Sequence, residues 1–431
     1  MDSVLLSGIS LAALIGVIAL GFLKKWNVGI LSFGVAMLVG MAAGMTQKQI
    51  VAGFNTPLFV ILLGSMFLFG IAQLNGTMDL LAKKMVALAG GKGWAIPIFM
   101  YLLGALVSAL GPGTIPGFGI AAMFGVPLAL EMEADPFLFC TIGQMGAMAG
   151  GMVPWAPTGV VGISKAAEAG YTENVALPLF LNTLFGTLFV SVLLFLLYRG
   201  WRVRGNGEGR SWKDMPRFDR GQRLTLLSIL VMVVCVVVFQ TNIGLTCFLL
   251  ACILAALGVA DISKCVQSIP WNTILLVTGI GVLMNVVITA GGIDLLAAGL
   301  ASIMIPRTAP ALLALASGVM SWFSSTSGVV MPTMIPTVPA ILERLGPGAA
   351  SIPPMLMVSA LTVGSSCAGI SPASTGGGLI MASLASDLKD HHVPLDYNKL
   401  FIKLFLTSIF AVLMAVLFAF IGGYNFTPYG G

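Results

Sequence analysis

The sequence predicts an all-α polytopic membrane protein made of two inverted repeats, each with about five spans and a re-entrant hairpin that contains a broken helix. Three observations support this fold class. Of the 431 residues, 58% are hydrophobic and 9% are charged, with a mean hydropathy of +1.02. Soluble domains carry about 25% charged residues, so a soluble globule of this length could not cover its surface. The apolar residues are gathered in runs, and the runs of the first half recur in the second.

Apolar runs follow one another along the whole chain and are interrupted by one long polar stretch at residues 199–223. A segment of about 20 apolar residues is long enough to cross a bilayer as a helix. We therefore expect most of the runs to be membrane spans. The runs are 3–23, 27–45, 57–74, 94–110, 115–130, 136–152, 176–198, 224–240, 242–260, 272–290, 308–323, 328–342, 353–370 and 398–421.

Glycine and proline interrupt the chain at equivalent places in the two halves. In each half, two short runs joined by a polar break predict a re-entrant hairpin, and one further span carries a break of its own. The predicted divisions are a first repeat at 1–198 (hairpin about 94–131, broken span about 136–169), a basic linker at 199–223, a second repeat at 224–421 (hairpin about 308–342, broken span about 353–389) and a short external tail at 422–431.

An internal duplication supports this division. Residues 27–82 align without gaps on 242–297 at a constant offset of 215, with 12 of 56 positions identical. The identities include the pairs Asn27/Asn242 and Gly64/Gly279. Repeats of this kind in a membrane protein are typical of secondary transporters.

The charges predict the orientation in the membrane. The linker at 199–223 holds eight basic residues against three acidic ones, and short basic loops lie in the cytoplasm. With five spans and a hairpin per half, the second half is inverted, 17 of the 21 basic residues fall inside, and both termini lie outside. Hairpins counted as full spans would make the repeats parallel and put Lys24 opposite the linker. We expect a bacterial-type inner-membrane protein embedded in the lipid bilayer, with no nucleic-acid partner.

The four breaks predict the functional site. A helix broken inside a membrane frees backbone amides and carbonyls that lipid cannot satisfy. Broken helices at matching positions of two inverted halves are typical of a transporter's midplane binding site. The breaks are Gly111-Pro112-Gly113-Thr114, Pro154-Trp155-Ala156-Pro157-Thr158-Gly159, Ser321-Trp322-Phe323-Ser324-Ser325-Thr326-Ser327-Gly328 and Ser371-Pro372-Ala373-Ser374-Thr375-Gly376-Gly377-Gly378.

Such breaks suit a small anion without any basic side chain. Each helix N-terminus carries about half a positive charge, and serine and threonine hydroxyls donate to carboxylate oxygens. Freed carbonyls and hydroxyl oxygens suit a hard cation such as sodium. The alternative is that the small residues serve only close helix packing. The expected substrate-binding residues are Gly113, Thr114, Pro157, Thr158, Ser325, Thr326, Ser327, Ser374 and Thr375.

The first half also resembles a known family. Residues 42–84 (AAGMTQKQIVAGFNTPLFVILLGSMFLFGIAQLNGTMDLLAKK) and 111–130 (GPGTIPGFGIAAMFGVPLAL) are similar to the N-terminal region of the MatC-type dicarboxylate (malonate) carriers, over roughly residues 1–200. The whole architecture resembles the ion transporter superfamily, which includes the divalent-anion:sodium symporters. That resemblance implies inverted repeats, two re-entrant hairpins, a homodimer and elevator-type transport.

The resemblance also implies a set of cation ligands. In the related symporters the hairpin tips carry a Ser-xxx-Ser-Asn-Thr pattern that helps to bind carboxylate and sodium. The matching stretches here are Ser108-xxx-Pro112-Gly113-Thr114 and Ser321-xxx-Ser325-Thr326-Ser327, in which Gly113 and Thr326 replace the asparagines and Pro112 replaces the first serine. The implied cation-binding residues are Ser108, Gly113, Ala156, Ser321, Thr326 and Ala373.

The sequence thus predicts a secondary transporter for a small dicarboxylate such as malonate or a C4-dicarboxylate. Sodium is favoured over protons as the coupling ion because the predicted site offers oxygens but no group that titrates near neutrality. The alternatives are a carrier for citrate, gluconate, a monocarboxylate or arsenite on the same scaffold, proton coupling, and a passive anion channel. No cofactor is expected. An intramembrane enzyme is disfavoured because the spans contain no pattern of nucleophile and base or of metal ligands.

Overall fold

The computed structural model describes residues 3–24, 26–87, 93–111, 113–173, 175–203, 216–390 and 396–425. Parts of three predictions lie outside these ranges: residues 204–215 of the basic linker, Pro112 at the first hairpin tip, and residues 426–431 of the tail. Within the described ranges the regular structure is helical, without a strand. The all-α prediction is confirmed.

The first half contains ten α-helices and two short 3₁₀ turns in its described residues. The helices are α1 (Ser3–Lys24), α2 (Val28–Ala42), α3 (Gln47–Val51), α4 (Thr56–Leu74), α5 (Thr77–Ala87), α6 (Ile96–Ala109), α7 (Thr114–Glu131), α8 (Pro136–Gly150), α9 (Pro157–Glu168) and α10 (Ala176–Leu197). The 3₁₀ turns are Gly93–Ala95 before α6 and Gly200–Arg202 after α10.

The second half repeats this order. Its helices are α11 (Arg220–Val237), α12 (Ile243–Ala256), α13 (Ile262–Ser268), α14 (Trp271–Thr289), α15 (Gly292–Ala301), α16 (Ala309–Trp322), α17 (Met331–Met334), α18 (Val338–Arg344), α19 (Pro354–Ala368), α20 (Thr375–Asp390) and α21 (Tyr397–Phe420). A π-helical turn at Thr326–Val330 leads into α17, and 3₁₀ turns at Ile335–Thr337 and Gly346–Ala349 flank α18.

Six described helices are long and apolar enough to cross a membrane, namely α1, α4, α7, α10, α14 and α21. The segments Ala309–Trp322 and Thr326–Arg344 are long and apolar enough to cross a membrane only when they are taken together, and they meet at an angle of 116°. Other predicted spans form shorter apolar helices, such as the 15-residue α2 and α19. At 1.5 Å per residue, 15 residues reach about 22 Å, less than the roughly 30 Å hydrocarbon core. The polytopic membrane fold is confirmed.

Both ends of the first hairpin, α6 and α7, lie near the end of α10. Its entry at Gly93–Ala95 contacts Gly200–Arg202, which directly follows α10. Its exit leads to Asp135, the N-cap of α8, which pairs with Lys403. The Lys403 ammonium in turn lies 5.5 Å from the ring centroid of Tyr198, the C-cap of α10. Both ends of this hairpin therefore lie at one level of the fold, and its re-entrant course in the membrane stays a prediction.

The two ends of the second hairpin also meet, near the beginning of α10. A Cβ placed on Gly348, after α18, would lie 3.3 Å from the ring of Pro306, before α16. The chain then enters α19, where Ser359 accepts a hydrogen bond of 2.8 Å from Asn182 in the second turn of α10. The two hairpins therefore open towards opposite ends of α10.

The duplication explains why the same helices begin at equivalent positions. Asn27 accepts a bond from the Gly29 amide at 2.8 Å and caps α2, and Asn242 accepts one from the Leu245 amide at 3.0 Å and caps α12. A side-chain acceptor at the N-cap stabilises a helix by about 1 kcal/mol. The next pair of caps, Thr46 before α3 and Asp261 before α13, differs in residue type and shares the role.

Glycines at the same offset let the two halves cross closely. A Cβ on Gly29 would overlap the carbonyl of Leu275 in α14, and a Cβ on Gly244 would overlap that of Val60 in α4. The offset of 215 relates Gly29 to Gly244 and Val60 to Leu275, so the contact of α2 with α14 and the contact of α12 with α4 are equivalent. Small residues permit such crossings in membranes. The inverted orientation of the halves across the membrane stays a prediction.

Candidate functional site

The four breaks meet around one cavity. Residues from both hairpin tips and from both broken spans line it, so elements far apart in sequence contribute to one site. The lining residues are Thr114, Ile115, Phe118, Met148, Thr158, Ser321, Ser324, Ser325, Thr326, Ser327, Ser366, Gly369, Ser374, Thr375 and Gly376.

The first half contributes two helix N-termini. α7 begins after Gly113, whose φ of 87° lies in the left-handed region that glycine adopts without strain, and α9 begins after Ala156. Neither residue caps its helix with a side chain. The hydroxyl oxygens of Thr114 and Thr158, in the first turns of α7 and α9, lie 3.3 Å apart. Pro116 and Pro157 have no N–H, and the Gly159 amide already donates to the Gly151 carbonyl at 3.0 Å. The amides of Thr114, Ile115 and Thr158 are the ones left in these first turns to donate to an anion.

The second half contributes the tip between α16 and the π-helical turn. The hydroxyl of Ser321 lies 3.0 Å from that of Thr326, which also donates to the carbonyl of Ser365 at 2.9 Å. The Ser325 hydroxyl accepts from the Gly328 amide at 3.2 Å. This tip is therefore held by side-chain hydrogen bonds, whereas the first tip relies on a glycine turn.

The break before α20 closes the cavity. The Ser374 hydroxyl donates to the carbonyls of Ser371, at 2.7 Å, and of Gly369. A Cβ on Gly376 would overlap the Gly369 carbonyl, so only glycine allows the first turn of α20 this close to the break. Behind it, the buried amide of Gln144 on α8 donates to the Gly376 carbonyl at 2.8 Å. These bonds fix the N-terminus of α20 at the cavity wall.

The cavity lining combines hydroxyl groups with apolar side chains and carries no charged side chain. Hydroxyl groups, backbone at the breaks and the first turns of α7, α9 and α20 supply its polarity. Each of these N-termini contributes a partial positive potential. The arrangement can therefore attract an anion and desolvate it without burying an opposite full charge.

A second cavity adjoins the first. The two share Thr114, Ile115, Thr158 and Ser327, and the second also reaches Gly113 and Pro157. Its opposite wall comes from α4 and from the region between α13 and α14, including Phe69, Gln73, Ser268, Pro270 and Thr273. The threonine pair therefore stands between the two spaces.

Most of the residues expected at the site surround these cavities. All nine expected substrate-binding residues line one or both of them, as do the expected cation ligands Gly113, Ser321 and Thr326. The other three do not. Ser108 is fully buried with its hydroxyl against Gly117 of α7, Ala156 is fully buried, and Ala373 lies at the surface outside both linings.

Some lining residues were not among the expected ligands. Ser324 and Gly376 lie inside the predicted breaks, whereas sequence reasoning missed Ile115, Phe118, Met148, Ser366 and Gly369. A usable signal existed for two of them. Met148 and Ser366 each lie two residues before the end of the helix that precedes a break, in α8 and α19 respectively. The equivalent positions of these two residues in the two halves could have identified them as lining residues. Phe118 lies one turn after Thr114 in α7.

Comparison with known proteins decides the family. The model of the CitMHS (citrate transporter) family matches residues 11–364, most of the chain. The chain belongs to the CitMHS family. It is therefore a transporter and not an enzyme, as the sequence predicted. The malonate specificity suggested by the MatC-type resemblance stays a prediction.

One solved structure agrees with this assignment at the level of the fold. The CitMHS chain is similar to the YdaH transporter of Alcanivorax borkumensis, with a TM-score of 0.56, 14% identity and 88% of each chain covered. It also matches MtrF of Neisseria gonorrhoeae, described as one of a class of antimetabolite efflux pumps, with a TM-score of 0.49 and 13% identity over 89% of this chain and 84% of that one. No curated protein sequence matches the chain.

Proposed function

We propose that this CitMHS protein is a secondary active transporter for a small dicarboxylate, such as malonate or a C4-dicarboxylate. The observation that carries the proposal is the cavity to which both halves contribute hydroxyl groups. Thr114 and Thr158 of the first half line it together with Ser325, Thr326 and Ser327 of the second half. Several hydroxyl groups around one uncharged cavity suit a small molecule with more than one carboxylate.

Citrate is the second candidate, and the name of the family favours it. A third carboxylate needs further donors. The cavity offers them in Thr375 and the first turn of α20. The two candidates therefore differ in whether the second broken span binds a carboxylate group of its own.

Uptake into proteoliposomes separates the candidates. We expect labelled malonate or a C4-dicarboxylate to accumulate, and unlabelled dicarboxylates to compete better than citrate, gluconate, a monocarboxylate or arsenite. Strong competition by citrate alone would select the second candidate. Flux that neither saturates nor responds to an ion gradient would indicate a passive channel and contradict the proposal.

Sodium is the proposed coupling ion. The lining residues supply oxygens and no titratable side chain, which supports coupling to a hard cation. Uptake driven by an imposed sodium gradient at constant pH is the expected result. Uptake that follows a proton gradient and ignores sodium would refute this coupling.

We further propose an elevator-type mechanism in a homodimer. The reciprocal crossings of α2 with α14 and α4 with α12 support a framework shared by both halves. The hairpins pack instead on the broken spans: a Cβ on Gly104 of α6 would overlap the Gly143 carbonyl of α8, and one on Gly364 of α19 would overlap the Ala314 carbonyl of α16. The second cavity lies between these two groups. A crosslink that fixes α4 to the tip of α7 should abolish transport.

The proposed topology places both termini outside the inner membrane. The opposite openings of the two hairpins support this inverted arrangement. On a cysteine-free background, a cysteine at Glu208 of the linker should be protected from impermeant thiol reagents in intact cells, and a cysteine at Asn425 should be labelled. The reverse pattern would refute the inverted arrangement.

A further inference from the structure

A second polar site lies at the end of α10, far from the cavity and sharing no residue with it. It is an open groove between the end of α10 and the beginning of α21, next to the N-cap of α8. One end of the groove is charged and the rest is apolar. Its lining residues are Asp135, Leu197, Tyr198, Arg199, Lys399, Ile402, Lys403, Leu406, Thr407 and Phe410.

The charged end carries a surplus of positive charge. Lys403 pairs with Asp135 and lies over the rings of Phe137, at 5.2 Å, and Tyr198, at 5.5 Å, so one cation is already compensated. The Arg199 guanidinium has no carboxylate partner among the residues that the structure describes. Unpaired guanidinium groups bind phosphate in a bidentate manner.

Lys399 adds a second cation that is only partly compensated. Its ammonium lies 3.3 Å from Asp396, and the two side chains are 86% and 54% exposed. The Lys399 amide donates to the Asp396 carboxylate and holds the pKa of that carboxyl below its usual value, so Asp396 stays ionised. An exposed pair of this kind is weak and exchanges partners readily.

The apolar part of the groove faces away from the protein core. Leu197 is 50% exposed, Ile402 is 57% exposed and Leu406 is 58% exposed. These side chains follow the charged end along α10 and α21, both of which are long enough to span a membrane. The hydroxyls of Tyr198 and Thr407 bond to each other at 2.6 Å between the two parts. Tyrosine at such a boundary is typical of the headgroup level of a bilayer.

We propose that this groove binds an anionic phospholipid. The headgroup phosphate contacts Arg199 and Lys399, and the acyl chains lie along Leu197, Ile402 and Leu406. Basic pockets between membrane helices recognise anionic headgroups in this way. Under the predicted topology the lipid belongs to the cytoplasmic leaflet. It would hold α10, α21 and the beginning of α8 together, and α8 ends at the substrate cavity.

Native mass spectrometry of the purified chain in detergent micelles tests the proposal without any transport assay. The probes are phosphatidylglycerol and phosphatidylcholine with the same acyl chains. We expect phosphatidylglycerol to bind more tightly, and Arg199→Gln or Lys399→Gln to weaken it about 5-fold each, the equivalent of about 1 kcal/mol per charge. The double variant should lose roughly 25-fold, and Arg199→Lys should retain part of the affinity.

The control is Arg344→Gln, which removes an exposed arginine from the end of α18 and should leave binding unchanged. Melting curves of the lipid-free variants should match the parent, which excludes misfolding as the cause. Equal binding of the two lipids, or an equal loss in Arg344→Gln, would overturn the proposal. Displacement of the lipid by millimolar inorganic phosphate would also overturn it, since the groove would then bind a soluble anion.

Discussion

Replacing Thr158 by valine removes one hydroxyl from the cavity while the shape and volume of the side chain are kept. Thr158 is 5% exposed, and its hydroxyl lies 3.3 Å from that of Thr114 at the boundary between the two cavities. Each hydroxyl has one proton to donate. When the substrate enters, the pair can give two hydrogen bonds to one carboxylate, and the valine variant can give only one.

The size of the effect follows from the charge of the acceptor. A hydrogen bond to a carboxylate in a buried site contributes about 1.5–3 kcal/mol. Because 1.4 kcal/mol is a factor of ten, Thr158→Val should raise the KM for the substrate roughly 10- to 150-fold. Thr375 is exposed to the cavity, so its hydroxyl replaces a hydrogen bond to water with one to the substrate when the substrate binds. Thr375→Val should therefore cost less, about 2- to 13-fold, for a net contribution of about 0.5–1.5 kcal/mol.

Initial uptake rates in proteoliposomes, normalised to reconstituted protein, measure both effects. The matched control is Thr278→Val, because Thr278 is 3% exposed and donates only to carbonyls of its own helix, those of Ile274 at 2.8 Å and Leu275 at 3.5 Å. The control should keep the parent KM. A change of less than threefold in Thr158→Val at normal expression would refute the role of the threonine pair in binding and leave close packing as its function.

Three further predictions concern the hairpin, the crossings and the pH profile. Gly111→Ala should lower the free energy of unfolding by about 2–4 kcal/mol, because φ is 118° at this position and a Cβ would overlap the Phe69 ring. The control is Gly119→Ala in α7, where a Cβ would meet open space. It should be neutral or stabilising in the same melting assay. Gly29→Ala and Gly244→Ala should each lower the melting temperature to a similar degree, and a loss in only one would show that the two crossings are not equivalent. No residue that lines the cavity is titratable. Uptake rates measured between about pH 5.5 and pH 8 should therefore fall on one curve when they are plotted against the concentration of the substrate dianion. A pH dependence that remains in this plot would reveal a protonatable group in the protein.

The location of the site followed from local chemistry. Glycine, proline and hydroxyl residues break helices wherever they cluster, because they remove amide donors, relax the backbone or compete for its hydrogen bonds. The four predicted breaks are all present, and each one reaches the cavity. The individual ligands did not follow in the same way. Ser108 matches the spacing of a ligand motif, yet its hydroxyl lies against Gly117 and outside the lining.

The sequence by itself determined the membrane class, the duplication and the positions of the breaks. Composition and runs of apolar residues are properties of the chain, and equivalent caps such as Asn27 and Asn242 begin equivalent helices whatever their neighbours are. These features depend on interactions within a few residues of the chain. They can therefore be predicted one segment at a time.

Only the tertiary structure decided which side chains share the cavity. Met148 and Ser366 line it because α8 and α19 are rotated by their packing on the hairpins, where glycines let the helices approach until backbone atoms meet. The rotation of a helix about its axis depends on the fit of every side chain in the contact, and a turn of 100° moves the next residue to the cavity. That fit is a property of two surfaces, and no single segment of the sequence contains both.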